Sequence, residues 1–175
     1  MRKIWFVLGV LLLPAAQTVC AGEKHEHAPV AMPRQFETLK QLLGAWEGTS
    51  KMGDKGEQSM QVTYELTSGG TAIIEKLMPG TPQEMVSVYH KEGDSLAMTH
   101  YCSMGNQPHM KLQDADAGHL VFEMEQPQGI ASAEESHMHA LTLTLKDKDT
   151  LQQDWISYDK GKPAQTTSLL FHKKS

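Results

Sequence analysis

The stretch that decides the fold is Met60-Gln61-Val62-Thr63-Tyr64-Glu65-Leu66, in which apolar and polar side chains alternate strictly. Successive side chains of an extended strand point to opposite faces, so this pattern predicts a strand with one buried and one exposed face. The same alternation returns at 96–102, 120–125 and 137–145. Turn-forming residues such as Ser68-Gly69-Gly70 separate these runs. The sequence therefore predicts a series of strands joined by tight turns.

Extending this reading along the chain gives a mainly β fold. Ten strands are predicted, at 44–51, 57–67, 70–78, 84–91, 94–102, 107–113, 118–126, 136–146, 150–158 and 164–172. Strands joined in this way form an antiparallel meander. Closing so many strands into a barrel removes the exposed sheet edges. We expect an antiparallel up-and-down β-barrel of 8–10 strands, with a two-layer sandwich as the alternative.

The residues before the first strand have a different character. Phe36, Leu39, Leu42 and Leu43 recur at helical spacing before Gly44, which predicts one short N-terminal helix. We expect this helix to pack at one end of the barrel. The barrel domain, including the helix, is assigned to 35–175.

The first 21 residues have the features of a secretory signal peptide. Arg2 and Lys3 precede the apolar run Ile4–Leu13, and Val19-Cys20-Ala21 supplies small residues before Gly22. The run is shorter than the roughly 20 residues that span a bilayer. We expect cleavage at 1–21, a flexible leader at 22–34, a periplasmic or extracellular product and no membrane span after cleavage. A lipidated Cys20 is the alternative.

Composition limits the classes of function. The 175 residues suit one domain, and the net charge of −5 argues against a nucleic-acid partner. Cleavage would leave Cys102 as the one cysteine, so no intramolecular disulfide could form. No nucleophile elbow, phosphate-binding loop, dinucleotide fingerprint or zinc-protease helix occurs, so an enzymatic activity has no positive support.

Two motifs resemble known proteins. Leu42-Leu43-Gly44-Ala45-Trp46-Glu47-Gly48 resembles the opening of lipocalin-like (calycin) barrels, and the resemblance implies that Trp46 closes one end. Thr99-His100-Tyr101-Cys102, followed by Gly105-Asn106-Gln107-Pro108 and Met110, resembles a family of uncharacterised secreted bacterial proteins. The resemblance implies the barrel fold and no catalytic residues. Similar barrels bind apolar small molecules, haem or fatty acids.

Histidines on two predicted strands are the main candidates for a site. His100 and Cys102 share the parity of Met98, while His137 and His139 share that of Leu141, so all four are expected to face the interior. One cavity holding them could bind copper, zinc or haem. The alternative is a hydrogen-bonded barrel corner, pinned by Asn106 and Gln107, that buries His100 and Cys102 for structural reasons.

Other polar and aromatic side chains complete the predicted site. Glu75 shares the parity of Ile73 and Leu77 and is expected to point inward, unless a bulge turns it outward. Tyr89 and Tyr101 are candidates for polar contacts.

The function we expect is a secreted, non-enzymatic binding protein for a small apolar molecule, with Trp46 among the binding residues. A haem or metal (copper or zinc) protein using His, Cys and Met, or an enzyme using the same cavity, is the alternative. The sequence identifies no cofactor.

Overall fold

A computed structural model describes residues 30–51 and 57–174. The expected signal peptide and most of the expected leader lie outside the described residues. One α-helix is described, α1 (Gln35–Lys40). The strands are β1 (Gly44–Lys51), β2 (Glu57–Thr67), β3 (Ala72–Leu77), β4 (Met85–Glu92), β5 (Ser95–Tyr101), β6 (His109–Asp116), β7 (His119–Glu123), β8 (His137–Asp147), β9 (Thr150–Asp159) and β10 (Lys162–Lys173). Within the described ranges, no helix has the length and apolar character needed to cross a membrane.

The strands form a closed antiparallel barrel in which each strand pairs with its neighbours in sequence. Closure comes from β1, which pairs with β2 on one side and with β10 on the other. The predicted up-and-down barrel is confirmed, and the two-layer sandwich is excluded because closure leaves no open edge between two sheets.

Gly48 on β1 allows the first and last strands of the barrel to pack closely. A Cβ at this position would lie 1.9 Å from the carbonyl oxygen of Leu170 on β10. A side chain there would therefore push β10 away from β1 at the seam that closes the barrel.

The α1 end of the barrel is closed by Trp46. Its ring is fully buried, and its indole nitrogen donates to the carbonyl oxygen of Leu42 over 2.7 Å. Phe36 and Leu39 of α1 are fully buried in the same core. The amine of Lys173 lies 5.0 Å from the centre of the Trp46 ring. The expectation that Trp46 packs with the helix at one end is confirmed.

Candidate functional site

A cavity of about 480 Å³ lies at the other end of the barrel. Its lining is mostly apolar and includes four methionines, and the polar side chains Gln58, Gln83 and Ser103 at its rim are exposed. The described residues that line it are Ser50, Gln58, Met60, Leu77, Met78, Gln83, Met85, His100, Ser103, Met138, Trp155, Thr167 and Leu169. This volume and this polarity are typical of pockets for small organic molecules.

His100 is the one titratable side chain among those described lining residues. It points inward from β5 and is 1% exposed. Its Nδ1 lies 3.0 Å from Oγ of Ser87, and its ring centre is 4.6 Å from the ring of Trp155. Burial lowers the pKa of His100 to about 4, so the imidazole is neutral at pH 7.

The other ring nitrogen of His100 is unpaired. Nε2 is buried and has no hydrogen-bond partner among the described residues. The hydroxyl of Ser50, which also lines the cavity and is 1% exposed, is unpaired in the same part of the chain. A buried polar atom without a partner is unfavourable by about 1–3 kcal/mol, so two unpaired polar atoms belong to residues of the cavity wall.

Behind the cavity, a second set of buried polar side chains surrounds Glu75. The carboxyl group is 1% exposed and accepts from the hydroxyl of Tyr89 at 2.5 Å and from Nε2 of Gln153 at 3.3 Å. Gln153 also donates to the hydroxyl of Tyr64 at 2.5 Å, and its Oε1 accepts from the indole of Trp155 at 3.0 Å. Trp155 thus connects the wall of the cavity to the surroundings of Glu75.

The charge on Glu75 is unfavourable in this environment. Burial raises the pKa of Glu75 to about 7, although the hydrogen bonds from Tyr89, Gln153 and Tyr64 act to lower it. No salt bridge to Glu75 occurs among the residues that the structure describes. Burial likewise raises the pKa of Tyr89 and of Tyr64 well above the usual range for tyrosine. Glu75 therefore titrates near neutral pH.

Strand pairing brings together three of the predicted site residues, Glu75, Tyr89 and His100. Glu75 on β3 pairs with Ser87 on β4, and Ser87 pairs with His100 on β5. Directly opposite residues have Cβ atoms about 4.5–5.5 Å apart. Tyr89, two residues after Ser87, reaches back to Glu75. Of the inward and outward orientations that the sequence left open for Glu75, the structure has the inward one.

His137 and His139 do not join His100, so the expected shared pocket is wrong. The pairing of β8 with β9 shifts between Met138 and Ala140, which places a β-bulge at His139. A bulge exchanges the inner and outer faces of the strand beyond it. Met138 consequently lines the cavity.

The two histidines instead line a separate space of about 170 Å³ beside the segment 124–133. Nε2 of His137 lies 3.2 Å from Nδ1 of His139, whose ring stacks on Tyr158 at 3.7 Å. Burial lowers the pKa of His139. In the described part of the chain, no three His, Cys, Asp or Glu side chains are grouped so that they could hold a metal ion.

The remaining predicted site residues lie away from the cavity. Tyr101 is 50% exposed, because it has the opposite parity to His100 on β5. Cys102 is buried at the corner after β5, where its backbone nitrogen donates to the carbonyl oxygen of Asn106. Trp46 closes the opposite end of the barrel, so it is not part of the cavity.

The corner after β5 has the structural role that the sequence offered as an alternative. The side-chain nitrogen Nδ2 of Asn106 donates to Oε1 of Glu135 at 2.7 Å and to the carbonyl oxygen of Ser136 at 2.9 Å. Gln107 donates from its side chain to the carbonyl oxygen of Gly105. Asn106 thus ties this corner to the connection before β8.

Sequence reasoning missed Ser87, Gln153 and Trp155. Each is a buried residue at an inward position, and Gln153 lies between the buried Leu151 and Trp155 with the same parity. For Ser87 and Gln153, a polar residue in an inward position was the available signal, as it was for Glu75.

Comparison with known proteins supports the fold. No family model matches the chain, and no curated protein matches it. Among solved structures, the barrel is similar to a Nostoc punctiforme protein of unknown function from the DUF3598 family, with a TM-score of 0.54 and 16% sequence identity. The match covers 78% of this chain and 48% of that one, so the chain spans about half the length of that protein. At this identity the similarity shows the fold alone.

Proposed function

We propose that this protein is a secreted, non-enzymatic binding protein that holds one small, largely apolar molecule in the barrel cavity. The observation that carries the proposal is the His100 imidazole, which is buried against an apolar cavity with its Nε2 unpaired among the described residues. An apolar pocket with very few polar contacts is the usual form of a small-molecule site.

The methionines of the cavity fit a binding role. Met60, Met78, Met85 and Met138 come from four different strands or connections and line one space. Their unbranched side chains adapt to ligands of different shape. The apolar wall supplies affinity, while His100 and Ser50 supply orientation.

A binding role is also favoured over catalysis by the position of the titratable groups. Glu75, whose pKa lies near 7, is not among the described lining residues and is enclosed by Tyr89 and Gln153. His100 is bonded to Ser87, which does not line the cavity either. A catalytic nucleophile must reach the substrate and lie within hydrogen-bond distance of its base, and neither Ser87 nor Glu75 is among the described lining residues.

Binding is tested with N-phenyl-1-naphthylamine, an uncharged fluorescent probe for apolar sites. We expect saturable binding of one molecule per chain. Met138→Trp should weaken it by filling the cavity, whereas Met104→Trp, at a position that is 47% exposed and outside the cavity, should not. Equal binding by the two variants would place the probe elsewhere and contradict the proposal.

Haem is the second candidate, favoured by the bonding of His100. Its Nδ1 lies 3.0 Å from Oγ of Ser87 and its Nε2 has no partner among the described residues, and axial histidines are commonly held in this way through the nitrogen that does not bind iron. Titration with haemin tests this directly. A Soret band that His100→Gln abolishes and His172→Gln, at an exposed site on β10, retains would favour haem over an apolar carrier.

Secretion and membership of the lipocalin-like secreted family form part of the same proposal. They rest on the residue pattern of 1–21 and on the motifs around Trp46 and His100. Intact mass of the protein from a secreting bacterial host should correspond to a chain that begins at Gly22 and carries no lipid. A chain that retains 1–21, or a diacylglycerol adduct on Cys20, would contradict it.

A further inference from the structure

The side chains that a ligand in the cavity would touch are mainly methionines. Met78, Met85 and Met138 line the cavity and are half-buried. The other apolar lining residues, such as Trp155, are at most 6% exposed. The apolar surface that the cavity offers to a ligand therefore comes chiefly from three thioether side chains.

The backbone leaves its usual conformation to place Met78 at the cavity. Its φ is +56°, in the left-handed region that residues other than glycine rarely adopt. Its nitrogen donates to the carbonyl oxygen of Gln61 at 2.8 Å, and its carbonyl oxygen accepts from Oγ1 of Thr81 at 2.9 Å. Such conformations persist where surrounding contacts fix them, and they are concentrated at ligand-binding sites. These two hydrogen bonds hold Met78 where it lines the cavity.

Met138 and Met85 reach the same space through separate features. The bulge at His139 brings Met138 to the inner face of β8. Sδ of Met85 accepts a hydrogen bond from Oγ of Ser103 at 3.6 Å, and both residues line the cavity. That contact places the sulfur atom itself at the rim. Three different local features thus bring three thioethers to one cavity.

A thioether distinguishes an aromatic ring from a saturated one. Its polarisable sulfur is attracted to a ring about 5 Å away, often at the ring edge, and each such contact strengthens binding by a factor of about 2–12. A saturated ring of the same size gains the burial of its apolar surface but not this contribution. The described lining residues include no Asp, Glu, Lys or Arg, so they offer no charge to pair with a charged ligand.

We propose that the cavity selects uncharged aromatic molecules over saturated molecules with the same carbon skeleton. This selectivity rests on the proposed function. If each non-hydrogen atom takes about 30 Å³, the volume that one water occupies in the liquid, a cavity of about 480 Å³ holds about 16 such atoms. That is enough for one or two rings with a short substituent.

Two uncharged probes, 4-phenyl-1-butanol and 4-cyclohexyl-1-butanol, differ only in whether the ring is aromatic. Each competes with N-phenyl-1-naphthylamine for the protein, and the measured quantity is the ratio of the two affinities, phenyl over cyclohexyl. The ratio is compared with that of a variant carrying Met78→Leu, Met85→Leu and Met138→Leu. Leucine keeps the approximate volume and apolar character of methionine without its sulfur. Because the hydration of the probes is common to both proteins, it cancels in this comparison.

We expect the ratio to be at least about five-fold higher in the unmodified protein than in the triple variant, which is the scale of two or three thioether contacts. Met104→Leu, at an exposed position outside the cavity, is the matched control and should keep the ratio of the unmodified protein. The methyl resonances of the methionines in the unmodified protein give a readout that needs no variant. The phenyl probe should shift those of the three cavity methionines more than the cyclohexyl probe does, and should leave that of Met104 in place.

Failure of the selectivity and failure of binding give different results. If the triple variant keeps the ratio, or if the two probes shift the cavity methionines equally, the selectivity is overturned while binding in the cavity stands. If the triple variant does not fold, the methyl resonances of the unmodified protein decide. If the naphthylamine probe itself does not bind, the proposed function is overturned and the selectivity with it.

Discussion

Tyr89 donates its hydroxyl proton to Oε2 of Glu75 over 2.5 Å inside the barrel, where both side chains are almost completely buried. The two residues lie on neighbouring strands, β3 and β4, and the carboxyl group has no salt bridge among the described residues. Glu75 is therefore a buried acid that favours its protonated form, and its environment has a measurable effect on stability.

Glu75→Gln should change the pH dependence of unfolding. Burial raises the pKa of Glu75 from 4.5 to about 7, so between these values the folded protein holds a proton that the unfolded chain has lost. The contribution of this group is complete below pH 4.5 and is lost as the pH rises through 7. Between about pH 4 and about pH 8, the free energy of unfolding of the wild type should fall by about 3 kcal/mol relative to that of the variant. Urea denaturation at the two pH values measures this change. The exposed Glu134→Gln is the control, and an equal offset at both pH values would contradict the prediction.

His100→Gln should show the opposite dependence. Burial lowers the pKa of His100 from 6.5 to about 4, so in this interval the unfolded chain binds a proton that the folded protein excludes. This contribution is complete above pH 6.5 and is lost as the pH falls towards 4. Between about pH 7 and about pH 4, the wild type should lose about 3 kcal/mol relative to the variant. NMR titration of the His100 ring provides an independent check, and protonation above pH 6 would contradict it.

Trp46→Ala should destabilise the barrel by about 3–5 kcal/mol, as large truncations in a core do. The ring is fully buried, and its removal leaves the carbonyl oxygen of Leu42 without its indole donor. Chemical denaturation measures the change. Tyr101→Ala removes an aromatic ring that is 50% exposed and should cost much less. A loss below about 1 kcal/mol for Trp46→Ala would show that this end of the barrel is not closed by the ring.

Gly129→Ala should be more destabilising than Gly80→Ala, although both glycines have φ near +75°. A Cβ at Gly129 would lie 1.8 Å from the carbonyl oxygen of Gln107, whereas at Gly80 it would meet no atom within 4 Å. The φ penalty of about 1–2 kcal/mol is common to both, so the difference reports the clash. We expect Gly129→Ala to lower the free energy of unfolding by about 1–3 kcal/mol more than Gly80→Ala does. Equal losses would show that the 124–136 connection moves aside freely.

Much of the fold could be predicted because alternation is a local property. The period of two in β2, β5 and β8 follows from the strand geometry of the backbone, and turn residues between the runs enforce antiparallel neighbours. The same parity placed Glu75 and His100 inside, whereas Tyr101, a candidate for polar contacts in the site, is exposed on the outer face. These residues needed no information from other strands.

The site could be predicted only in part, because it depends on pairing between strands. The bulge at His139 is defined by the register of β8 against β9, and it moved His137 and His139 away from the cavity while bringing Met138 into it. A parity argument cannot anticipate a bulge, since one extra residue reverses every face beyond it.

The sequence by itself determined that this chain forms a series of antiparallel strands preceded by a short helix, with polar side chains at inward positions of β3 and β5. Tertiary structure alone decided that Glu75, Ser87 and His100 stand side by side, that Gln153 from β9 joins them, and that His100 rather than the histidine pair faces the cavity. The physical reason is that side-chain alternation is encoded residue by residue, whereas register and barrel closure are set by hydrogen bonds between segments far apart in the chain.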